Sequence, residues 1–254
     1  MKLSLFIKKS VHESAAHYYE LAKVARKKAE GAERAIVETK KEITKAKEKK
    51  KETKAVRVKR EKEWFEKFHW FYTSEGKLAI GGKNAQENDI VFKKHMEDSD
   101  LFFHADIQGA SAVILKDGMK ASEEELLEAA QFAASFSNAW KNGNASVDVY
   151  AVRKGQLSKA ATGGFIPTGA FAISGERKWF RKTGLGVRLG IGERGAEIIP
   201  DCSKRKLKNE IIMVPTTGGK EKGELVKLIA KKLSRDVNEI LGIMPSGKSK
   251  IIEK

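Results

Sequence analysis

Cysteine and proline are scarce: one cysteine, Cys202, and four prolines in 254 residues. A lone thiol excludes an internal disulfide framework and a cysteine-based zinc site, so neither a metal nor another cofactor is expected. It also fits a reducing compartment, and the cytoplasm is the expected location. Long apolar runs are absent. No stretch approaches the roughly 20 residues that span a bilayer, so no membrane partner is expected. In the opening MKLSLFIKKS the apolar stretch is only Leu3 to Ile7, too short for a signal peptide. Acidic residues are few beside basic ones, 34 against 50, and the formal net charge is +16. A balance this basic points to a polyanion, with nucleic acid ahead of an acidic membrane surface. A generally basic proteome, or solubility alone, would give the same sign.

What is present divides the chain near residue 62 into a coiled-coil arm (1–62) and a compact domain (63–254). In the arm Val11, Ala15, Tyr18, Ala22, Ala25, Ala29, Ala32, Ile36, Thr39, Ile43 and Ala46 stand alternately four and three apart. That spacing is the a/d seam of a coiled coil. No proline interrupts it, and Gly31 lies off the seam at a cost of about 1 kcal/mol. Some 50 residues would make an arm of roughly 75 Å. An alanine seam requires a closely approaching partner helix, and no second helix of this length is expected downstream. The partner is then a second copy of the chain or a segment outside it. Residues 40–62 carry a balance of +8, half the net charge of the chain. Glutamates are too few to pair with these cations. Lys49, Lys50, Lys51, Lys54, Arg57, Lys59 and Arg60 are therefore read as a phosphate-backbone contact surface. A solvated helix laced with i,i+4 pairs is the plainer reading.

From Trp64 aromatics and glycines enter and the period changes to alternation. Residues 68–73 and 77–80 read as strands joined by a Ser74-Glu75-Gly76 turn. Asn84 with Glu87 signals a helix running to about Met96. Strands are expected at 100–104, 111–115 and 146–153, with shorter ones at 170–173, 185–191, 196–199 and 210–214. Ser122-Glu123-Glu124-Glu125 opens a helix carrying Leu126, Ala129, Ala130, Ala133, Phe136 and Trp140 on one face. A last helix is expected over about 223–241. Hairpins with a few helices predict an α+β fold with a mainly antiparallel or mixed sheet.

Several motifs carry less than they suggest. Gly190-Ile191-Gly192-Glu193-Arg194-Gly195 matches a dinucleotide fingerprint, but the next residues, Ala196 to Asp201, read as strand where that fingerprint needs a helix, so a β-turn is expected. Gly247-Lys248-Ser249 lacks the upstream glycine of a P-loop and reads as a tail. His104 and Asp106 could share one face of a strand end. One histidine and one carboxylate are too few for a metal, and a structural His–Asp hydrogen bond or an RNA-contacting histidine precedes catalysis. His69 and His95 could join them only through the fold. Arg153, Lys154 and Lys159 lie in a basic loop ending in Gly163-Gly164, where small residues let phosphate approach the backbone. Arg177-Lys178-Trp179-Phe180-Arg181-Lys182 sets aromatics among cations, suited to base stacking with phosphate contact, or else a surface hairpin with a buried Trp179.

Three segments together are more specific: the opening Trp64 to Phe71 (WFEKFHWF), the turn Gly81 to Asn88 (GGKNAQEN, which holds Lys83) and His104 to Ser111 (HADIQGAS). They resemble the NFACT-R domain of the NFACT proteins, a family of ribosome quality-control factors and fibronectin-binding-protein-A-like proteins. Gln156 to Lys159 and Pro167 to Phe171 resemble a later family segment and strand. The arm is similar to the end of the family's middle coiled coil. The resemblance implies an RNA-binding module, with tRNA and the rRNA of the large ribosomal subunit as partners. It also implies an N-terminal NFACT segment as the seam's occupant. The family's N-terminal domain and helix-hairpin-helix segment have no counterpart in this sequence, so template-free tailing is not expected of this chain alone. Two other readings stay open. One is a coiled-coil scaffold or dimerisation protein that docks a separate NFACT N-terminal half. The other is an enzyme of RNA metabolism using His104 and Asp106, which ranks last because no nucleophile–base pair or ligand set is visible; no catalytic residue is assigned.

Overall fold

The computed structural model describes residues 10–52, 61–160 and 166–252, with side chains in the first helix up to residue 42. The chain separates into two units, residues 1–61 and 62–254.

The first unit contains one helix among its described residues, α1 (Val11–Glu52), of 42 residues and about 63 Å. Ser10 caps it: its backbone N–H and hydroxyl both donate to Glu13 Oε2, at 2.7 and 2.9 Å, and Glu13 N–H donates back to Ser10 Oγ. This reciprocal pairing satisfies donors that the first turn leaves open. The seam residues Val11 and Ile36 stand 76% and 54% exposed, so within this unit the seam is uncovered. Lys54, Arg57, Lys59 and Arg60 lie outside the described residues, as do the side chains of Lys49, Lys50 and Lys51.

The second unit is α+β. A single 3-10 turn (Trp64–Lys67) leads into the hairpin β1 (His69–Tyr72) and β2 (Leu78–Gly81). The turn holds Gly76 at φ +91°, a conformation that glycine adopts without a Cβ penalty. Helix α2 (Ala85–Ile90) is capped by Asn84, whose side chain accepts from Glu87 N–H, and runs on through a π-helical turn, Val91–His95. Next come β3 (Leu101–Ala105), β4 (Val113–Leu115), α3 (Glu123–Ser135), α4 (Asn138–Lys141), β5 (Ser146–Arg153), β6 (Leu157–Ser158), β7 (Ala172–Ile173) and β8 (Lys178–Gly184). The chain ends with β9 (Val187–Gly192), β10 (Gly195–Pro200), β11 (Lys208–Lys220), α5 (Lys222–Leu233), α6 (Val237–Ile243) and β12 (Ser249–Ile252).

Six strands form one sheet in the order β1-β2-β4-β3-β5-β8. Four form a second, β10-β9-β11-β12, and β6 pairs with β7. Every pairing among the described strands is antiparallel. Both faces of the six-stranded sheet are covered. Phe71, Phe103, Val113, Leu115 and Val149 point into one core with Phe132 of α3, Leu189 and Met213 of the second sheet and Ile229 of α5. The alternate residues Trp70, Ile80, Phe102, Ile114 and Tyr150 join Phe65, Phe68, Val91 and Leu157 in the other. Alternation along each strand sorts them to opposite faces.

Four expectations change. Helix α3 stops at Ser135: Phe136 leaves helical geometry at φ −98°, ψ 43°, and the Ser137 hydroxyl caps a new short helix by accepting from Ala139 N–H. Trp140 is therefore on α4, fully buried, with its indole N–H donating to Ser249 Oγ at 3.0 Å. The last helix splits where Ser234 turns left-handed (φ +51°) and Asp236 caps α6. The segment Arg177–Lys182 is no surface hairpin, since β8 is an edge strand paired with β5. The tail at Ser249 begins β12, and that serine is buried. Gly190–Gly195 is the expected β-turn region, with Glu193 and Arg194 joining β9 to β10.

Candidate nucleic-acid interface

The register pairs His69 with Gly81, Gly81 with Val113, and Val113 with Phe103. The start of β1, the end of β2, the start of β4 and the end of β3 thus share one end of the large sheet. The two connections leaving that end, residues 81–88 and 104–111, are tied by side chains. Buried Asn88 accepts from Ala112 N–H at 3.0 Å and donates to Ala110 O at 3.4 Å. Ser111 Oγ donates to Gly82 O at 2.7 Å. Asn138 at the start of α4 donates to Gln108 O at 2.8 Å. Gly109, at φ +80°, lies so close that a Cβ there would fall 2.1 Å from Asn138 Nδ2.

A third segment makes the outer wall. Gly169 N–H donates to Asp89 Oδ1 at 3.0 Å, and Lys159 forms an ion pair with the same carboxylate. The Lys159 ammonium also donates to Ala170 O and sits 4.2 Å above the Phe171 ring. These walls enclose a cleft of about 630 Å³. Lys83, Lys141, His69 and His104 line it with the rings of Phe102, Phe136, Tyr150 and Phe171, and no carboxylate does among the described residues.

Burial governs the titration of the cleft. The His69 ring lies 4.0 Å from Phe136, and its buried Nδ1 has no partner among the described residues. Desolvation first, then the charges of Lys83 and Lys222, hold its pKa well below the ordinary imidazole value. Lys83 is itself pulled down by desolvation and by Lys62, against the opposing charge of Glu87. Lys222, pulled down by desolvation and then by Lys83, donates to Met244 O at 2.7 Å. His104 is lowered by desolvation, with a backbone hydrogen bond at Ala105 and the charge of Asp106 opposing. Both histidines are neutral at pH 7.

An aromatic band runs from the cleft to the sheet edge. Phe171 meets Phe102 edge-on at 5.3 Å, and His104 lies parallel to Phe102. Tyr150 Oη is 3.3 Å from His104 Nδ1, and the Tyr150 ring meets Trp179 at 5.5 Å. Two guanidiniums cover the edge. Arg177 lies 4.8 Å over Tyr150, and Arg181 lies 3.9 Å over Trp179 while pairing with Asp148 at 2.7 Å.

The expected contact residues therefore fall into separate groups. Lys83, His104 and, behind its wall, Lys159 belong to the cleft. Arg177 and Arg181 belong to the aromatic edge, with Lys178 beside them in an exposed 2.6 Å pair with Glu123. Asp106 is exposed and acts on the His104–Tyr150 pair through its charge alone. The expected His104–Asp106 hydrogen bond is replaced by the contact to Tyr150. Arg153 and Lys154 stand at the far end of β5, where Lys154 approaches Asp98 at 3.7 Å. Lys159 is a strut, half-buried and tied to Asp89. Pro167–Phe171 is turn, and strand begins only at Ala172. Sequence reasoning passed over Asn138, Lys141 and Tyr150 as site residues, took Phe136 for the apolar face of a helix, and raised His69 only as a residue that the fold could bring to His104. The signal for α4 was present in Ser137-Asn138, a capping serine inside an apolar helical period.

Residues 67–175 match the family described as the NFACT protein RNA binding domain, NFACT-R. The chain is 39% identical over 206 residues to the archaeal Rqc2 homolog aRqcH of Methanocaldococcus jannaschii, covering 78% of this chain and 31% of that protein. It is 40% identical over 131 residues to the ribosome quality control complex subunit NEMF homolog of Drosophila melanogaster, covering 50% of this chain and 13% of that protein. The solved C-terminal part of the fibronectin/fibrinogen-binding protein of Streptococcus suis aligns with a TM-score of 0.41 at 29% identity, over 51% of this chain and 50% of that one. The chain thus spans less than a third of the length of either of these two sequence relatives.

Proposed function

Because this chain carries an NFACT-R domain and is a homologue of the Rqc2 and NEMF ribosome quality-control factors, we propose that it is the RNA-binding module of such a factor. It acts by binding and not by catalysis, in the cytoplasm, on tRNA or on rRNA of the large ribosomal subunit. The supporting observation is the aromatic band capped by Arg177 and Arg181. Stacked rings and guanidiniums accept unpaired bases by their faces and phosphates by charge. The basic end of the arm, with Lys49, Lys50, Lys51, Lys54, Arg57, Lys59 and Arg60, adds a sequence-independent contact. Arg153, Lys154 and Lys178 extend the positive surface.

The test is a titration of the chain against tRNA and purified large subunits at two salt concentrations. A version lacking residues 1–62 and an Arg177→Gln/Arg181→Gln double variant run beside it. Salt-sensitive binding weakened by both changes supports the reading. Equal affinity at both salt concentrations refutes it.

A second reading rests on the uncovered seam of α1. A close-packing helix, from a second copy or a separate NFACT N-terminal segment, would bury it. Sedimentation that stays monomeric at high concentration, with and without that segment, removes this reading.

A further inference from the structure

Resting on the RNA-binding reading, we propose that the cleft at the end of the large sheet holds one unstacked nucleotide, its base against Phe171, His104 and Tyr150 and its phosphate toward Lys83, Lys141 and His69. Three observations carry this. The cleft is of the size that encloses a small molecule, about 630 Å³. Its walls are braced by Asn88, Ser111, Asn138 and Asp89 through hydrogen bonds that do not need a ligand. Such bracing makes a preformed slot, which spares a guest the cost of ordering it.

Its lining is also divided by chemistry. Rings gather on the side of β3 and β5, where a base face can stack, while Phe136 lies across from them against His69. Cations gather on the side of β1, the 81–88 connection and α4. Lys83 and Lys141 line that side, and Lys83 and Lys222 act electrostatically on His69. Among the described residues no carboxylate lines the cleft itself, and Glu87 acts on Lys83 from beside it. His69 presents a buried ring nitrogen without a partner among the described residues. A buried polar atom in that condition is costly unless something bonds it. An anion in the cleft would act on the His69 ring through its charge and relieve the crowding of the lysines. A duplex cannot enter, because its bases are stacked and paired. The guest is a splayed nucleotide of a single strand, a loop or an end.

The experiment uses the full chain and a short single-stranded RNA with 2-aminopurine at one position, beside the same strand in a duplex. Anisotropy reports binding and 2-aminopurine emission reports stacking. Ala170→Trp, at an exposed position on the cleft wall, fills the slot without touching the core. Lys83→Gln/Lys141→Gln removes the cations of the lining. Melting curves verify that both variants fold. The expected result is quenched emission on the wild-type protein, lost in Ala170→Trp with a drop of about tenfold in affinity. In the lysine variant affinity falls while the quench persists at saturation. The His69 ring should also titrate at higher pH with uridine monophosphate present than without, by nuclear magnetic resonance. Binding that leaves the emission unchanged, with both variants within twofold of wild type, overturns the nucleotide slot and leaves the RNA-binding reading intact. Absence of binding to any RNA overturns both.

Discussion

Replacing Asn88 by alanine should damage the second unit more than any surface charge change, although asparagine in a glycine-rich turn invites a binding role. Its side chain is buried and spans two chain segments, accepting from Ala112 N–H and donating to Ala110 O. Alanine leaves a backbone donor and a backbone acceptor unpaired. The first bond, at 3.0 Å, is well formed, and the second, at 3.4 Å, is weak. Each orphaned buried group costs about 1–3 kcal/mol. The weak bond sits at the low end of that range, so the total is about 2–4 kcal/mol. Little relaxation is available on the neighbouring side, because a Cβ on Gly82 would already fall 2.3 Å from Asn88 Oδ1. Asn88→Asp keeps the acceptor for Ala112 N–H but sets a carboxylate against Ala110 O, so it should not rescue. Denaturant titration followed by tryptophan fluorescence reads the change directly, with Trp70 and Trp140 buried in the two cores. A loss below about 0.5 kcal/mol, the size of an ordinary surface substitution, would refute the assignment of Asn88 as a brace.

Three other outcomes are expected. His69, His95 and His104 all have pKa values below the ordinary one, burial being the first cause in each. The unfolded chain therefore binds more protons below about pH 6.5, and stability falls as pH drops toward about 5. A fully suppressed histidine costs about 1.4 kcal/mol one unit below its unfolded pKa, so a stability profile flat from about pH 7.5 to about 5.5 would contradict the burial of these rings. Glu125 is buried on α3, accepting from Thr73 Oγ1 and Lys77 Nζ at 2.6 Å and from Ser122 N–H at 3.1 Å. Glu125→Ala strands the hairpin's partners and should cost about 3 kcal/mol in a denaturant titration; a cost under about 1 kcal/mol would show that the hairpin is held by the core alone. Arg177→Gln/Arg181→Gln should flatten the salt dependence of RNA affinity by about two units of slope, and an unchanged slope would move the phosphate contacts elsewhere.

The local signals in this sequence were strong where neighbours in sequence settle the matter. Asn84 with Glu87 and Ser122 with Glu125 announce helix starts, because each cap is closed by residues three apart. The Ser74-Glu75-Gly76 turn and the alternation on either side announce the first hairpin. The heptad spacing from Val11 announces α1 as one long helix. Where the signals failed, the outcome depended on partners far along the chain. Phe136 continues the apolar period of α3 yet ends it, since it must turn to lie on His69. Ser249 looked like tail chemistry, and is buried as the acceptor of the Trp140 indole 109 residues away.

The candidate site obeys the same division. Composition alone determined that the chain is basic and lacks cysteine ligands for a metal, and its three motif segments determined which family it resembles. Net charge and short-range spacing are properties of the chain whether folded or not. The sheet order, by contrast, decides that residues 81–88, 104–111 and 167–171 line one cleft and that Arg177 and Arg181 cover a continuous band of rings. It also turns Lys159 from a contact into a strut, since the carboxylate that takes its charge, Asp89, lies far back in the chain on the opposite wall. Convergence of this kind is set by strand register and by long-range hydrogen bonds. No window of local sequence contains either.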